Sequence, residues 1–139
     1  MKTIKGTSDR YLEVDLSTGT WHVFSPTEAA LRAYLGGKGL GLRLFADRVG
    51  DAIGDIDPLG PDNLLVFMMG LFVGTGAPCS ARFEGMAKSP LTGIMASSSC
   101  GGPFGMALKT AGWDGLIVRG KATVPTVLRI DEDGVRFEE

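Results

Sequence analysis

Between residues 11 and 24 the chain alternates apolar and polar side chains. Leu12, Val14 and Leu16 share one face and Glu13 and Asp15 the other. Ser17-Thr18-Gly19 then interrupts, and a second alternating run follows over 20–24. A period of two broken by a polar, glycine-ended turn predicts a β-hairpin. Ser25-Pro26-Thr27-Glu28 reads as a capping box with proline at the first helical position. Leu31, Tyr34 and Leu35 extend it into a helix that stops at Gly36-Gly37, and Leu40, Leu44, Phe45 and Val49 predict a second short helix. Residues 50–63 form an acidic loop rich in turn residues. Strands are expected over 64–69, 82–87 and 94–97. Phe104, Ala107, Leu108 and Ala111 recur at helical spacing before a Gly112 stop. A strand over 115–119 follows, then a hairpin of 126–130 and 135–138 joined around Asp133-Gly134. The pattern gives an α+β fold, rich in strands with a few short helices, and no internal repeat.

Composition narrows the class. At 139 residues and 44% apolar content the chain is expected to form a single domain, 1–139; a chain of this size hides about 68% of its unfolded surface. A net charge of −2, with both signs dispersed, excludes an electrostatic footprint for nucleic acid. The longest apolar run, 64–74, is too short to span a bilayer. Lys2, Lys5, Asp9 and Arg10 leave no room for the apolar region of a secretory signal, so the expected location is cytoplasmic. Cys79 and Cys100 are read as free thiols, too few for the four thiolates of an iron–sulfur cluster.

The candidate chemistry lies in residues 70–120, where glycine and small residues crowd between strand-like runs. Ser97-Ser98-Ser99-Cys100-Gly101-Gly102-Pro103-Phe104-Gly105 reads as the end of a strand, a small-residue turn and a helix start. Pro103 suits the first helical turn, where its missing N–H is not needed. Free N–H groups and the helix dipole there favour a phosphate; the same residues also suit a tight turn that holds nothing. Cys100 inside the turn either faces a bound group or packs as a small residue. Gly115 to Lys121 has the spacing of a phosphate-binding P-loop, but Ala122 stands where Ser or Thr must hold magnesium, and Leu116-Ile117-Val118 is a strand. His22, the single histidine, reads as a surface residue of the hairpin, and Trp113-Asp114 as packing at the helix exit.

Several segments, in order, resemble the aldehyde:ferredoxin oxidoreductase family. They are Val14-Asp15-Leu16-Ser17-Thr18-Gly19, Leu35-Gly36-Gly37-Lys38-Gly39-Leu40, Asp57-Pro58-Leu59-Gly60-Pro61-Asp62-Asn63 and Gly70-Leu71-Phe72-Val73-Gly74-Thr75-Gly76-Ala77-Pro78. They continue with Lys88-Ser89-Pro90-Leu91-Thr92-Gly93, Gly101-Gly102-Pro103-Phe104-Gly105, Leu108-Lys109-Thr110-Ala111-Gly112-Trp113-Asp114 and Val118-Arg119-Gly120-Lys121-Ala122. The match covers nearly the whole chain. Phe72-Val73 departs from the proline and leucine usual there.

The resemblance implies a β-rich platform beneath a tungsten, or molybdenum, bis-pyranopterin whose sulfurs hold the metal. By resemblance Arg82, Ser99 and Gly101 contact one pterin. The backbone carbonyl of Ser99 would reach a magnesium ion bridging the pterin phosphates; the family often carries asparagine there. Lys88 would either neutralise a phosphate or hold its turn at the surface, and Gly37-Lys38-Gly39 reads either as another close backbone approach or as a helix–helix turn. The implied reaction oxidises aldehydes to carboxylates with ferredoxin as acceptor. The [4Fe–4S] cluster and the acid/base groups are expected in missing domains or a partner subunit, and no catalytic residue is assigned to this chain. The alternative is a non-catalytic binding or assembly module without metal cofactor, which would form a homodimer.

Overall fold

The computed structural model describes residues 6–139; Lys2 and Lys5, read above against a signal sequence, lie outside the described residues. Six strands form one mixed sheet in the order β2-β1-β6-β3-β4-β5. They are β1 (Tyr11–Asp15), β2 (Thr20–Phe24), β3 (Leu65–Met69), β4 (Phe83–Lys88), β5 (Met95–Cys100) and β6 (Gly115–Arg119). Helices α1 (Glu28–Tyr34) and α2 (Gly37–Val49) cover one face. Helix α3 (Pro103–Thr110) and a separate hairpin of β7 (Val127–Asp131) and β8 (Gly134–Glu138) cover part of the other. The expected α+β, strand-rich platform is the fold observed.

The alternation read from the sequence sorts the two cores. Tyr11 of β1, Val66 and Met68 of β3, Met86 of β4 and Ile117 of β6 pack against Leu31, Leu40, Leu44 and Phe45 of the helices. On the opposite face Leu12, Val14, Met69, Phe83 and Leu116 pack against Leu108, Trp113 and Val135. β1 and β6 run parallel in the middle of the sheet, with Leu12 opposite Leu116 and Val14 opposite Val118. A strand covered on both faces cannot leave its polar side free. Glu13 is therefore buried, and Arg48 of α2 grips its carboxylate at 2.6 Å. Gly41 lets α2 settle onto the sheet: a Cβ there would stand 2.9 Å from Met68 Cγ and nearer still to the Met86 thioether.

Three local expectations are corrected. The first helix is capped by Thr27, not Ser25: Thr27 Oγ1 accepts the Ala30 N–H at 3.1 Å, and Pro26 stays outside the helix. Ser25 is spent on the Asp9 carbonyl at 2.6 Å, and Glu28 on Arg32, so neither can close the box. Within 50–63, residues Gly50–Gly54 form a short 3-10 helix. The last hairpin turns at Glu132-Asp133, one residue earlier than expected. There Asp131 Oδ1 accepts the Asp133 N–H at 3.0 Å, while Gly134 already pairs with Asp131 as a strand residue.

Candidate functional site

The residues singled out by the sequence gather at one end of the sheet. β3 ends there, β4 begins there, and β5 ends there. Phe83 pairs with Cys100 and Glu84 with Ser99, so Arg82 and Gly101 stand one step beyond the last pair, on adjoining strands. Arg82 lies just before β4 rather than inside it; its carbonyl accepts the Gly70 N–H at 3.3 Å, which anchors the backbone. Its side chain is exposed and makes no hydrogen bond or ion pair among the described residues. Ser97 to Cys100 lie in β5, not in a turn, because β4 offers a full ladder of partners. The turn itself is only Gly101-Gly102.

That turn feeds directly into α3. Gly102, at φ +95, is the N-cap; it has no side chain to satisfy the first amides, and Pro103 follows in the first turn as expected. A Cβ at either Gly101 or Gly102 would meet no atom within 4 Å, so the surface above the turn is open. The helix start is fixed from below. Gly105 lies against Phe83 and Met69, where a Cβ would crowd them at 3.2 to 3.3 Å, and Phe67, Phe83 and Phe104 form a ring cluster with centroids 4.9 to 6.2 Å apart. α2 also begins at this end. Its N-cap, Gly36, likewise makes no side-chain cap, and its first residue lies over Glu84.

Glu84 was not picked out in the sequence, where it reads as an ordinary polar strand position. Ser99 Oγ donates to Glu84 Oε1, while Oε2 is buried without a hydrogen-bond partner. Lys88, weighed above for a phosphate or a surface turn, does neither. It is buried, and its ammonium donates to the carbonyls of Ile53, Gly54 and Ile56 at 2.8 to 2.9 Å, at the opposite end of the sheet from Arg82. Asp114 is more than helix-exit packing. It accepts from Lys109 at 2.5 Å and from the Thr7 hydroxyl at 2.7 Å, clamping α3 to the segment before β1. Burial, with the Asp114 charge next in weight, pushes the Tyr11 phenol well above its ordinary range. His22 is exposed, as expected.

An unpaired guanidinium, an open two-glycine turn and two helix N-termini without side-chain caps make an arrangement suited to an anion such as a phosphate. Among the described residues no group of three His, Cys, Asp or Glu side chains could hold a metal. A metal carried by a cofactor's own sulfurs needs no such group. Both cysteines are free and exposed, and no helix of the described residues is long and apolar enough to cross a membrane.

Comparison with known proteins gives the same family. The profile for the aldehyde ferredoxin oxidoreductase N-terminal domain matches residues 11–139. The tungsten-containing aldehyde ferredoxin oxidoreductase of Thermococcus kodakarensis is 37% identical over 134 residues, covering 96% of this chain and 22% of the relative. That of Pyrococcus horikoshii is 38% identical over 130 residues, covering 94% and 21%. Among solved structures, the active-site complex BamBC of benzoyl coenzyme A reductase with 1,5-dienoyl-CoA superimposes with a TM-score of 0.91 at 35% identity, covering 97% of this chain and 20% of that one. The chain thus spans about a fifth of the length of the relatives it matches.

Proposed function

The chain belongs to the aldehyde ferredoxin oxidoreductase family, corresponding to its N-terminal domain, and from that premise we propose that it is the cofactor-holding platform of a cytoplasmic tungsten-dependent oxidoreductase. The observation that carries the reading is the meeting of the unpaired Arg82 with the open Gly101-Gly102 turn at the start of α3. A bound tungsten bis-pyranopterin would supply the two-electron chemistry that converts an aldehyde to a carboxylate. The residues of this chain bind and orient. Arg82 offers a fork of N–H donors to a phosphate or to the edge of a planar heterocycle. Gly101 and Gly102 let the backbone amides come close to it, and Ser99 offers its carbonyl to a magnesium ion. The iron–sulfur cluster, the acid/base groups and the contact with ferredoxin would lie outside the fifth of such an enzyme that this chain spans.

Relatives of near-equal identity are named for aldehyde oxidation and for benzoyl coenzyme A reduction, so a platform of this kind serves more than one reaction. A second reading, a cofactor-free module that pairs with its own copy, has one observation in its favour. β5 is an edge strand, exposed along nearly its whole length, and carries neither the charges nor the proline that usually protect such an edge. Light scattering decides that point: a monomer at high concentration removes the second reading.

The main test is expression under anaerobic, tungsten-replete conditions, followed by measurement of bound metal, phosphate and pterin fluorescence. Wild type is expected to retain pterin and phosphate. Arg82→Ala removes a charge-assisted hydrogen bond of about 1.5–3 kcal/mol, hence about ten- to a hundredfold in affinity, without unfolding the chain. Equal retention by both proteins would refute the assignment of Arg82.

A further inference from the structure

Helix α3 treats its solvent face differently from α1 and α2. Those two carry exposed ion pairs one turn apart, Glu28 with Arg32 at 2.7 Å and Arg43 with Asp47 at 2.8 Å. α3 has a single charged residue, Lys109, and turns it inward onto Asp114 and the Gly6 carbonyl. What it shows to solvent is Pro103, Met106, Ala107 and Thr110, at the spacing of one helix face. Met106 is 46% exposed. A surface helix ordinarily points its charges outward and its apolar residues inward. An outward stripe without charge marks an interaction surface.

Together with Ala81 and the hairpin tip at Asp131 and Glu132, this stripe lines a groove of about 700 Å³. Its sides are fixed. Asp114 ties down α3 through Lys109, and Trp113 Nε1 donates to the Asp131 carbonyl at 2.7 Å. Gly134 lies on the Trp21 ring, and Arg10 Nη2 donates to the Glu132 carbonyl at 3.4 Å. The groove is therefore preformed, and binding there need not order its walls. The hairpin tip gives it a sign. Asp131 is neutralised by Arg136 at 2.5 Å. Glu132 and Asp133 are exposed, and neither carboxylate has a cationic partner among the described residues; Arg10 reaches only the Glu132 carbonyl and lies over the Trp113 ring.

We propose that this groove docks an amphipathic helix of a partner subunit, which lays leucine- or methionine-sized side chains on Met106 and Ala107 and sets a lysine or arginine against Glu132. A helix fits better than an extended segment. α3 keeps its backbone groups to itself, so an extended chain would leave its own amides unpaired over apolar atoms. Methionine suits such a floor because its unbranched, polarizable chain adapts to what it meets. Gly102 and Pro103 belong both to the groove and to the start of α3, so the docked helix would lie beside the open turn. The groove is present whether or not that turn holds a cofactor.

Methyl NMR of the full chain labelled at methionine, with Met106 as reporter, and calorimetric titration test this. The probes are two synthetic helical peptides with the same leucine positions, one carrying lysine and the other glutamate elsewhere. The lysine peptide should shift the Met106 methyl signal and bind about fivefold more tightly than the glutamate peptide, a preference that fades as salt rises. Glu132→Lys should abolish the preference. Met106→Gln should weaken the lysine peptide about tenfold. Both positions are exposed, so melting curves should match wild type. Equal binding of the two peptides, binding that leaves the Met106 signal unmoved, or no binding of either overturns the proposal. A dimer seen by light scattering and lost in Met106→Gln gives the groove to a second copy. Broadening of the Met106 signal on neutral phosphatidylcholine vesicles gives it to lipid. Either result overturns the basic helix, and none of these readouts bears on Arg82.

Discussion

Replacing Lys88 with methionine should destabilise the chain by about 3 kcal/mol and leave the candidate site untouched. Lys88 is the last residue of β4 and only 5% exposed. Its ammonium closes the carbonyl end of the 3-10 helix through Ile53 at 2.8 Å, Gly54 at 2.9 Å and Ile56 at 2.8 Å. Its backbone is held from both sides by the Asn63 amide, at 3.1 and 3.0 Å. A hydrogen bond to a charged group contributes about 1.5–3 kcal/mol, but the three here share one ammonium whose burial itself costs energy, so they do not add. Methionine keeps the volume and removes the charge, leaving three carbonyls to find water; a loss of about 2–4 kcal/mol results. For 139 residues the unfolding entropy near the midpoint is about 0.3 kcal/mol/K, so the midpoint should fall by about 10 °C. Calorimetry measures that fall. Hydrogen exchange should locate it, with faster exchange at the Asp55 and Ile56 amides that bond to the Ala52 carbonyl. A midpoint shift below about 3 °C, or a reduced retention of pterin and phosphate, would refute the reasoning and return Lys88 to the anion site.

Asp114→Ala strands the Lys109 ammonium, whose side chain is 10% exposed, beside a lost carboxylate; about 3–5 kcal/mol should go, and adding Lys109→Met should recover part of it in denaturant melts, whereas no recovery would mean that the Thr7 bond carries the clamp. Alkaline stability should depend on Tyr11. Burial, then the Asp114 charge, raises its folded-state pKa above the unfolded value near 10. The folded chain therefore holds this proton more tightly. The contribution is fully present below pH 10 and is lost above it by up to about 1.4 kcal/mol per pH unit. Tyr11→Phe should flatten that slope between pH 10 and 12; an unchanged slope assigns the alkaline loss to other groups.

The order of strands and helices was legible because it rests on local periodicity, and the family segments pointed to the neighbourhood of the candidate site. What escaped the sequence was set by tertiary partners. Ser97 to Ser99 look like a turn until β4 supplies their ladder. Ser25 looks like a cap until Asp9 claims its hydroxyl. Lys88 looks like a surface cation because only the folded chain carries three carbonyls to it across more than thirty residues. Glu84 could not be found at all: its interest lies in an oxygen left without a partner, which no pattern of residue types records. Arg82, Ser99 and Gly101 were suggested by resemblance, and the register sets them side by side at one end of the sheet.

The treatment of the three helix starts within this one chain is itself an argument about where the site lies. α1, which covers the sheet, begins with Thr27 bonded to the Ala30 amide. α2 and α3 both begin at the Arg82 end, and both begin with a glycine that caps nothing. A serine, threonine or aspartate cap contributes about 0.5–2 kcal/mol relative to a residue that cannot cap, though glycine loses the least. Each uncapped start leaves amide donors and about half a positive charge exposed. A scaffold selected for stability alone would have capped all three helices. Two starts left open at the same end, beside an unpaired arginine, are consistent with donors held back for a ligand. Toward the opposite end Lys88 ties β4 to the 3-10 helix, and Arg48 at the end of α2 pairs with Glu13. At the turn itself the Lys109–Asp114 clamp and the Phe67, Phe83 and Phe104 rings hold α3 from below, while the space above Gly101-Gly102 stays open.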